Sequence, residues 1–133
     1  MTDNGLVTLP SAHGAKETAD RLVAEAEAHG LTVFARIDHA AGAKAAGMTL
    51  RPTELVILGN AKGGTPLMQS RQTIGIDLPL KALVWEDADG KTWLSYNAPA
   101  WLAQRHGVTG VAEVTDRLAA MLATLAKAAA GPE

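Results

Sequence analysis

The chain has 133 residues, 47% hydrophobic and 20% charged, with a formal net charge of −2. That is the length of one ordinary domain able to bury a core unaided, and its charge balance disfavours both disorder and a polyanion-binding surface, so nucleic acid is not an expected partner. The absence of cysteine excludes disulfides, thiolate metal sites, iron–sulfur clusters and cysteine nucleophiles.

The opening MTDNGLVTLPSAHG carries an early acid, no basic cluster and no sustained apolar core, unlike a signal peptide. No stretch approaches the roughly 20 apolar residues that span a bilayer. The expectation is a cytoplasmic protein without a membrane segment. Residues 6–9 read as a short strand closed by Pro10, and Ser11 opens a turn or caps the next helix. Ala15, Ala19, Leu22, Val23 and Ala26 then share one helix face, with Lys16, Glu17, Asp20, Arg21 and Glu25 on the other, and Gly30 ends the helix. Residues 31–37 alternate as a half-buried strand, with Leu31, Val33, Ala35 and Ile37 on one side. Asp38 suits the N-cap of a short helix over 39–46, which Gly42 and Gly47 weaken.

Residues 54–60 form an uninterrupted apolar run, expected as a central strand covered on both faces. Ala61-Lys62-Gly63-Gly64 reads as a flexible loop, and Thr65-Pro66 as N-cap and first residue of a helix through Leu67, Met68 and Arg71. Asp77-Leu78-Pro79 leads into a strand over Leu80–Glu86, and Asp89-Gly90 turns it into a hairpin returning through residues 92–96. Pro99–His106 reads as a short helix closed by Gly107. Val111, Val114, Leu118, Met121, Leu122 and Leu125 form the stripe of a long final helix. Residues 128–133, rich in small side chains, are expected to fray. The order β-α-β-α-β-α-β-β-α-α predicts one domain over 1–133: an α+β, two-layer fold with helices packed on one face of a mixed sheet. The other face needs cover. Trp85 and Trp93, with Phe34 or Tyr96, supply it with apolar material, so a homodimer is expected.

The blocks TVFARIDHAAGAKAAGM, PTELVILGNAKGGTPLMQ, IGIDLPLKALVWEDADGKTWLSYNAP and LAQRH, in that order, resemble the DUF302 family of small bacterial and archaeal domains with no assigned function. The resemblance runs from the first helix to about His106. It implies a TT1751-like α+β fold that associates as a homodimer, and no settled reaction. The matching positions are Ile37-Asp38-His39, Gly59-Asn60, Gly64-Thr65-Pro66-Leu67-Met68, Asp77-Leu78-Pro79-Leu80-Lys81, Trp85-Glu86-Asp87 and Tyr96-Asn97. Ala61 departs from the proline the family commonly carries after Gly-Asn.

Several groups could carry chemistry. Asp38 and His39 are candidates for an acid–base pair, and His39 for a metal or haem ligand with Met68, against the plainer readings of N-cap, solvated imidazole and core thioether. His13, His29 and His106 lack ligand spacing, and His29 and His106 each precede a glycine at a helix end, where an imidazole favours the negative dipole. The Gly59 to Pro66 stretch, with the Asn60 to Thr65 loop inside it, resembles an anion cradle without P-loop order. Lys81 is a candidate pairing or Schiff-base lysine, or simply a solvent-facing one. Neither a calcium loop nor a serine-hydrolase elbow is present. The leading expectation is a homodimer binding a small ligand through Asp38, His39, Asn60, Thr65, Lys81 and Tyr96. The alternatives are an enzyme using His39 oriented by Asp38 or Asp77, and a structural or partner-binding module. No particular cofactor is indicated.

Overall fold

The computed structural model describes residues 4–132. Five strands, β1 (Leu6–Pro10), β2 (Thr32–Asp38), β3 (Thr53–Gly59), β4 (Leu80–Glu86) and β5 (Thr92–Asn97), alternate with five α-helices. These are α1 (Ala15–Ala28), α2 (His39–Ala45), α3 (Ala61–Ser70), α4 (Pro99–His106) and α5 (Ala112–Ala130), with a 3-10 helix at Gln72–Asp77. The sheet order is β1-β5-β4-β3-β2 and every neighbouring pair is antiparallel. The expected mixed sheet is therefore corrected. A parallel neighbour needs a connection that crosses the sheet face. Here α2 and α3 sit between adjacent strands whose chain simply turns back, and only α1 carries the chain from one edge strand to the other.

One face is closed by α1 and α5, which pack on each other as well as on the strands. Val56 and Leu58 of β3, Ala82 and Val84 of β4, and Leu94 of β5 meet Ala19, Leu22 and Ala26 of α1 and Leu122, Leu125 and Ala126 of α5, all buried. The alanines let the two helices approach closely enough to share one sheet face. On the opposite face of β3, Leu55 and Ile57 are only half-buried. The expectation of cover on both faces is thus met on one face alone.

Strand β2 also departs from strict alternation. Its register with β3 shifts between Val33 and Ala35, leaving Phe34 as the extra residue. A bulge reverses which face the following side chains address. Val33 packs against the core, whereas Ala35 and Ile37 pair with Ile57 and Leu55 on the open face. Arg36 is consequently carried to the helix side, where it bonds Glu54 at 2.6 Å and Asp20 of α1 at 2.7 Å. The hydrogen bond that Arg36 donates to Glu54 is the main reason the Arg36 pKa is raised; Lys16 and then Arg36 lower that of Asp20.

The C-terminal segment expected to fray is helical as far as Ala130. Ala129 and Ala130 are buried, Arg21 donates to the carbonyls of Ala128 (2.8 Å) and Ala129 (3.1 Å), and the Ala12 amide donates to Ala130 (2.8 Å). Small side chains there let α5 lie against α1, and Arg21 satisfies carbonyls that a helix end leaves open. Of the expected frayed stretch, Glu133 lies outside the described residues.

Gly5 and Gly30 both have positive φ, +76° and +77°, but a Cβ on Gly5 would fall inside the Trp101 indole while one on Gly30 meets nothing within 4 Å. Gly30→Ala is expected to cost about 1 kcal/mol, the left-handed backbone penalty alone. Gly5→Ala should cost about 1–3 kcal/mol more, because the indole must move. Urea denaturation of the two variants measures the difference, and equal losses would show that Trp101 is free to yield.

Candidate functional site

The residues expected to converge divide between opposite ends of the sheet. Asp38 pairs with Glu54, and Thr32 with Gly59. Asp38 and His39 are therefore separated from Gly59 and Asn60 by the length of β3, roughly 17 Å at about 3.4 Å per residue. Asp38 Oδ1 accepts the Ala41 amide at 2.9 Å, the N-cap bond of α2. His39, the first residue of that helix, is exposed. Met68 lies toward the Asn60 end, so His39 and Met68 do not form a common ligand set. Among the described residues, no group of three histidine or acidic side chains is placed to hold a metal.

Lys81 and Tyr96 lie on adjacent strands but address opposite faces. The Lys81 ammonium donates to the backbone carbonyls of Pro79 (3.0 Å) and Asp77 (3.3 Å) on the open side. Tyr96 pairs with Ala82 and packs against the core on the helix side, where burial pushes its phenol pKa up. The Tyr96 ring is thus spent on the core and does not supply the open-face cover expected of it. Trp85 and Trp93 do lie there, stacked with ring centroids 6.2 Å apart. Each indole N–H is satisfied, Trp85 by Ser95 Oγ at 2.9 Å and Trp93 by Asp87 Oδ2 at 2.8 Å. The latter bond is the largest cause of the lowered Asp87 pKa.

Asn60 and Thr65 line one concavity together, beside α3, while Lys81 and the Tyr96 strand border a separate one on the open sheet face. Asn60 Oδ1 accepts the Gly63 amide at 2.8 Å and so caps α3, which begins at Ala61 and not at Pro66. An asparagine before a permissive Gly-Gly turn starts the helix earlier than Thr65-Pro66 would, and the expected flexible loop is its first turn. Between α3, the 3-10 helix and the end of β3 lies a cavity of about 220 Å³. Phe34, released by the bulge, stands at its edge, with Met68, Leu78 and Leu118 in its wall and Asn60 and Thr65 as its polar side chains. No charged side chain lines it. Glycine backbone makes part of the wall: a Cβ on Gly64 would lie 3.6 Å from Leu78 Cδ1 and 3.8 Å from Met68 Cε.

A second polar constellation joins α4 to the 3-10 helix. His106 Nε2 lies 2.6 Å from Asp77 Oδ2, and His106 Nδ1 lies 3.0 Å from Thr73 Oγ1. Arg105 reaches both Asp77 oxygens, at 2.9 and 3.1 Å. Asp77 therefore orients His106, not His39. His106 does close its helix, as expected, but its ring is engaged by side chains; the other helix-end histidine, His29, bonds the Glu25 carbonyl at 2.8 Å. Sequence reasoning missed the constellation because its members lie 33 and 29 residues apart with no local motif.

These features define a two-layer α+β domain with an antiparallel sheet and a small apolar cavity at one sheet end. The chain belongs to the DUF302 family: the profile described as "Domain of unknown function DUF302" matches residues 7–125. It is similar to the crystal structure of uncharacterized conserved protein DUF302 from Bacillus stearothermophilus, with a TM-score of 0.83 over 94% of this chain and 98% of that one. At 18% identity, that likeness is one of fold. The chain is also 56% identical over 108 residues to Fluoride-specific ion channel FluC 1 of Brucella suis biovar 1, and equally to FluC 2 of Brucella melitensis biotype 1. The match covers 81% of this chain but only 42% and 40% of those proteins, so the chain spans about two fifths of the length of these curated relatives. No helix among the described residues is long and apolar enough to cross a membrane.

The two ends of β3 differ in what their caps support. Asn60→Ala is expected to lose about 1 kcal/mol, since α3 packs on the core through buried Leu67. His39→Ala should stay within about 0.5 kcal/mol of the parent, as a substitution at an exposed imidazole. Thermal unfolding followed by circular dichroism compares the two, and a large loss at His39 would assign that imidazole a structural partner.

Proposed function

We propose that this domain binds a small, uncharged, apolar group in the cavity between α3, the 3-10 helix and the end of β3, and that it does so as a homodimer. The cavity carries the reading. It combines apolar walls, bare glycine backbone and two polar side chains, Asn60 and Thr65, the mixture that small-molecule sites use to bury a ligand and fix its orientation. An apolar cavity of about 150 Å³ accommodates benzene. The larger space here suits a bicyclic aromatic or a short acyl chain, and the Met68 thioether favours an aromatic ring edge. Burying a charged ligand against this lining would leave its charge without a partner. Asp38, His39, Lys81 and Tyr96 stand outside this site.

The homodimer reading rests on the open sheet face. Leu55, Ile57, Leu83 and Trp85 run across it half-buried, and Leu6 and Ile37 at its margins are 40% and 39% exposed. Lys81 is the one charged side chain that β3, β4 and β5 place among them. A second copy offers the same apolar surface, so a two-fold contact covers both faces at once.

Indole is a suitable probe. Isothermal titration calorimetry is expected to show saturable binding of one indole per chain, weakened at least tenfold in Gly64→Leu, whose added side chain occupies the cavity; wild-type protein that takes up no indole rejects the reading. For the assembly, light scattering coupled to size exclusion should give a dimer mass for wild type and a monomer mass for Leu83→Glu. A wild-type monomer at tens of micromolar leaves the open face to some other partner.

A further inference from the structure

The 3-10 helix that contributes Gly75 to the cavity also presents Thr73 and Asp77 to His106, and the bonding there fixes where the imidazole proton sits. A carboxylate can only accept. Asp77 Oδ2, 2.6 Å from Nε2, therefore takes the N–H of that nitrogen. In the neutral ring the lone pair is then on Nδ1, which faces Thr73 Oγ1 at 3.0 Å, and the threonine hydroxyl must be the donor. Hydroxyl, imidazole and carboxylate thus stand in the order nucleophile, base and orienting group. Exposure is graded to match: the His106 side chain is 9% exposed and that of Asp77 17%, while Thr73 is open to solvent. Beside them, Arg71 approaches the α4 terminus, its Nε 3.6 Å from where a Cβ of Gly107 would lie. Its guanidinium has no hydrogen bond or ion pair among the described residues. Arg105, by contrast, is committed to Asp77.

We propose that Thr73, His106 and Asp77 form an acyl-transfer site for small esters with an anionic acyl group, independent of the cavity. Thr73 Oγ1 attacks the ester carbonyl carbon as its proton passes to His106 Nδ1. The tetrahedral adduct expels the alcohol, which takes that proton from Nδ1, and the acyl group stays on Thr73. Water then adds to the acyl carbon, giving its proton to Nδ1, and the Thr73 oxygen leaves and recovers it. Asp77 is a positioning residue that holds the productive tautomer. Arg71 attracts the anionic acyl end.

The probes are 4-nitrophenyl acetate and mono-4-nitrophenyl succinate, applied to the full chain, with nitrophenol release and the mass of the acylated peptide as readouts. Expected are a succinyl adduct mapping to Thr73, retained in Thr73→Ser, and nitrophenol release about 10²-fold lower in Thr73→Val. Asp77→Asn should lose as much, because its amide can donate to Nε2 and force the proton onto Nδ1. Its melting temperature, tracked alongside, separates this from unfolding, and Asp77→Glu, which again can only accept, should restore part of the rate. No adduct, an adduct elsewhere, or an unchanged rate in a folded Thr73→Val or Asp77→Asn overturns the assignment. Equal rates for the two esters, or a succinate preference that survives in Arg71→Gln, overturn the anionic substrate class.

Discussion

A sheet with two apolar faces and one layer of helices imposes the main constraint on this molecule. Val56, Leu58, Ala82, Val84 and Leu94 are buried beneath α1 and α5, and that burial supplies the core. The reverse sides of the same strands carry Leu55, Ile57, Leu83, Trp85 and Trp93, which the helices do not reach. Alternation along a strand makes the two faces inseparable, since a residue added to one shifts the register of both. The bulge at Phe34 is the exception that β2 uses. It places Val33 on the core and Ile37 on the open face, and it sends Arg36 to join α1 and β3 through Asp20 and Glu54.

Because strands spend their side chains on these two faces, polar chemistry collects where the sheet ends and helices begin. Asp38 and Asn60 illustrate how much of it is structural. Each is a short polar side chain where a strand ends, and each accepts the amide three residues on. Candidate binding residues of this kind are indistinguishable in sequence from N-caps, since both uses favour a small oxygen acceptor at a strand-to-helix junction.

Local chemistry was legible in the sequence. The Asp89-Gly90 hairpin forms, with Gly90 at φ +81° and Asp87 Oδ1 accepting the amides of Asp89 and Lys91. Gly30 follows α1 with positive φ, and the stripe through Leu118, Leu122 and Leu125 faces the core. What depended on distant partners was not legible. An antiparallel sheet and a mixed one share the same strand patterns, and only spatial order separates them. The alanine-rich C-terminus reads as weak in isolation, yet its small side chains let α5 pack against α1, where Arg21 and Ala12 bind its carbonyls. Convergence of Asp38 with Asn60 failed for a simple reason: matched blocks preserve chain order, and an antiparallel turn puts successive blocks at opposite ends of a strand.

The 3-10 helix at Gln72–Asp77 is where these threads meet, although no periodic pattern announced it. Ile74 is fully buried and fixes the helix to the core. Around that anchor, Gly75 has no side chain and leaves room against Met68, whose sulfur would lie 3.3 Å from an added Cβ. Thr73 and Asp77 straddle Ile74 and reach His106, and Asp77 also lends its carbonyl to Lys81. Six residues thereby support a cavity wall, a hydroxyl–imidazole–carboxylate line and a tie to the open sheet face. A packed interior holds such a segment in one arrangement and does not let it deform continuously. The position of Ile74 therefore sets the geometry of all three, and the segment least regular in its sequence is the one on which the polar geometry of this end of the sheet depends.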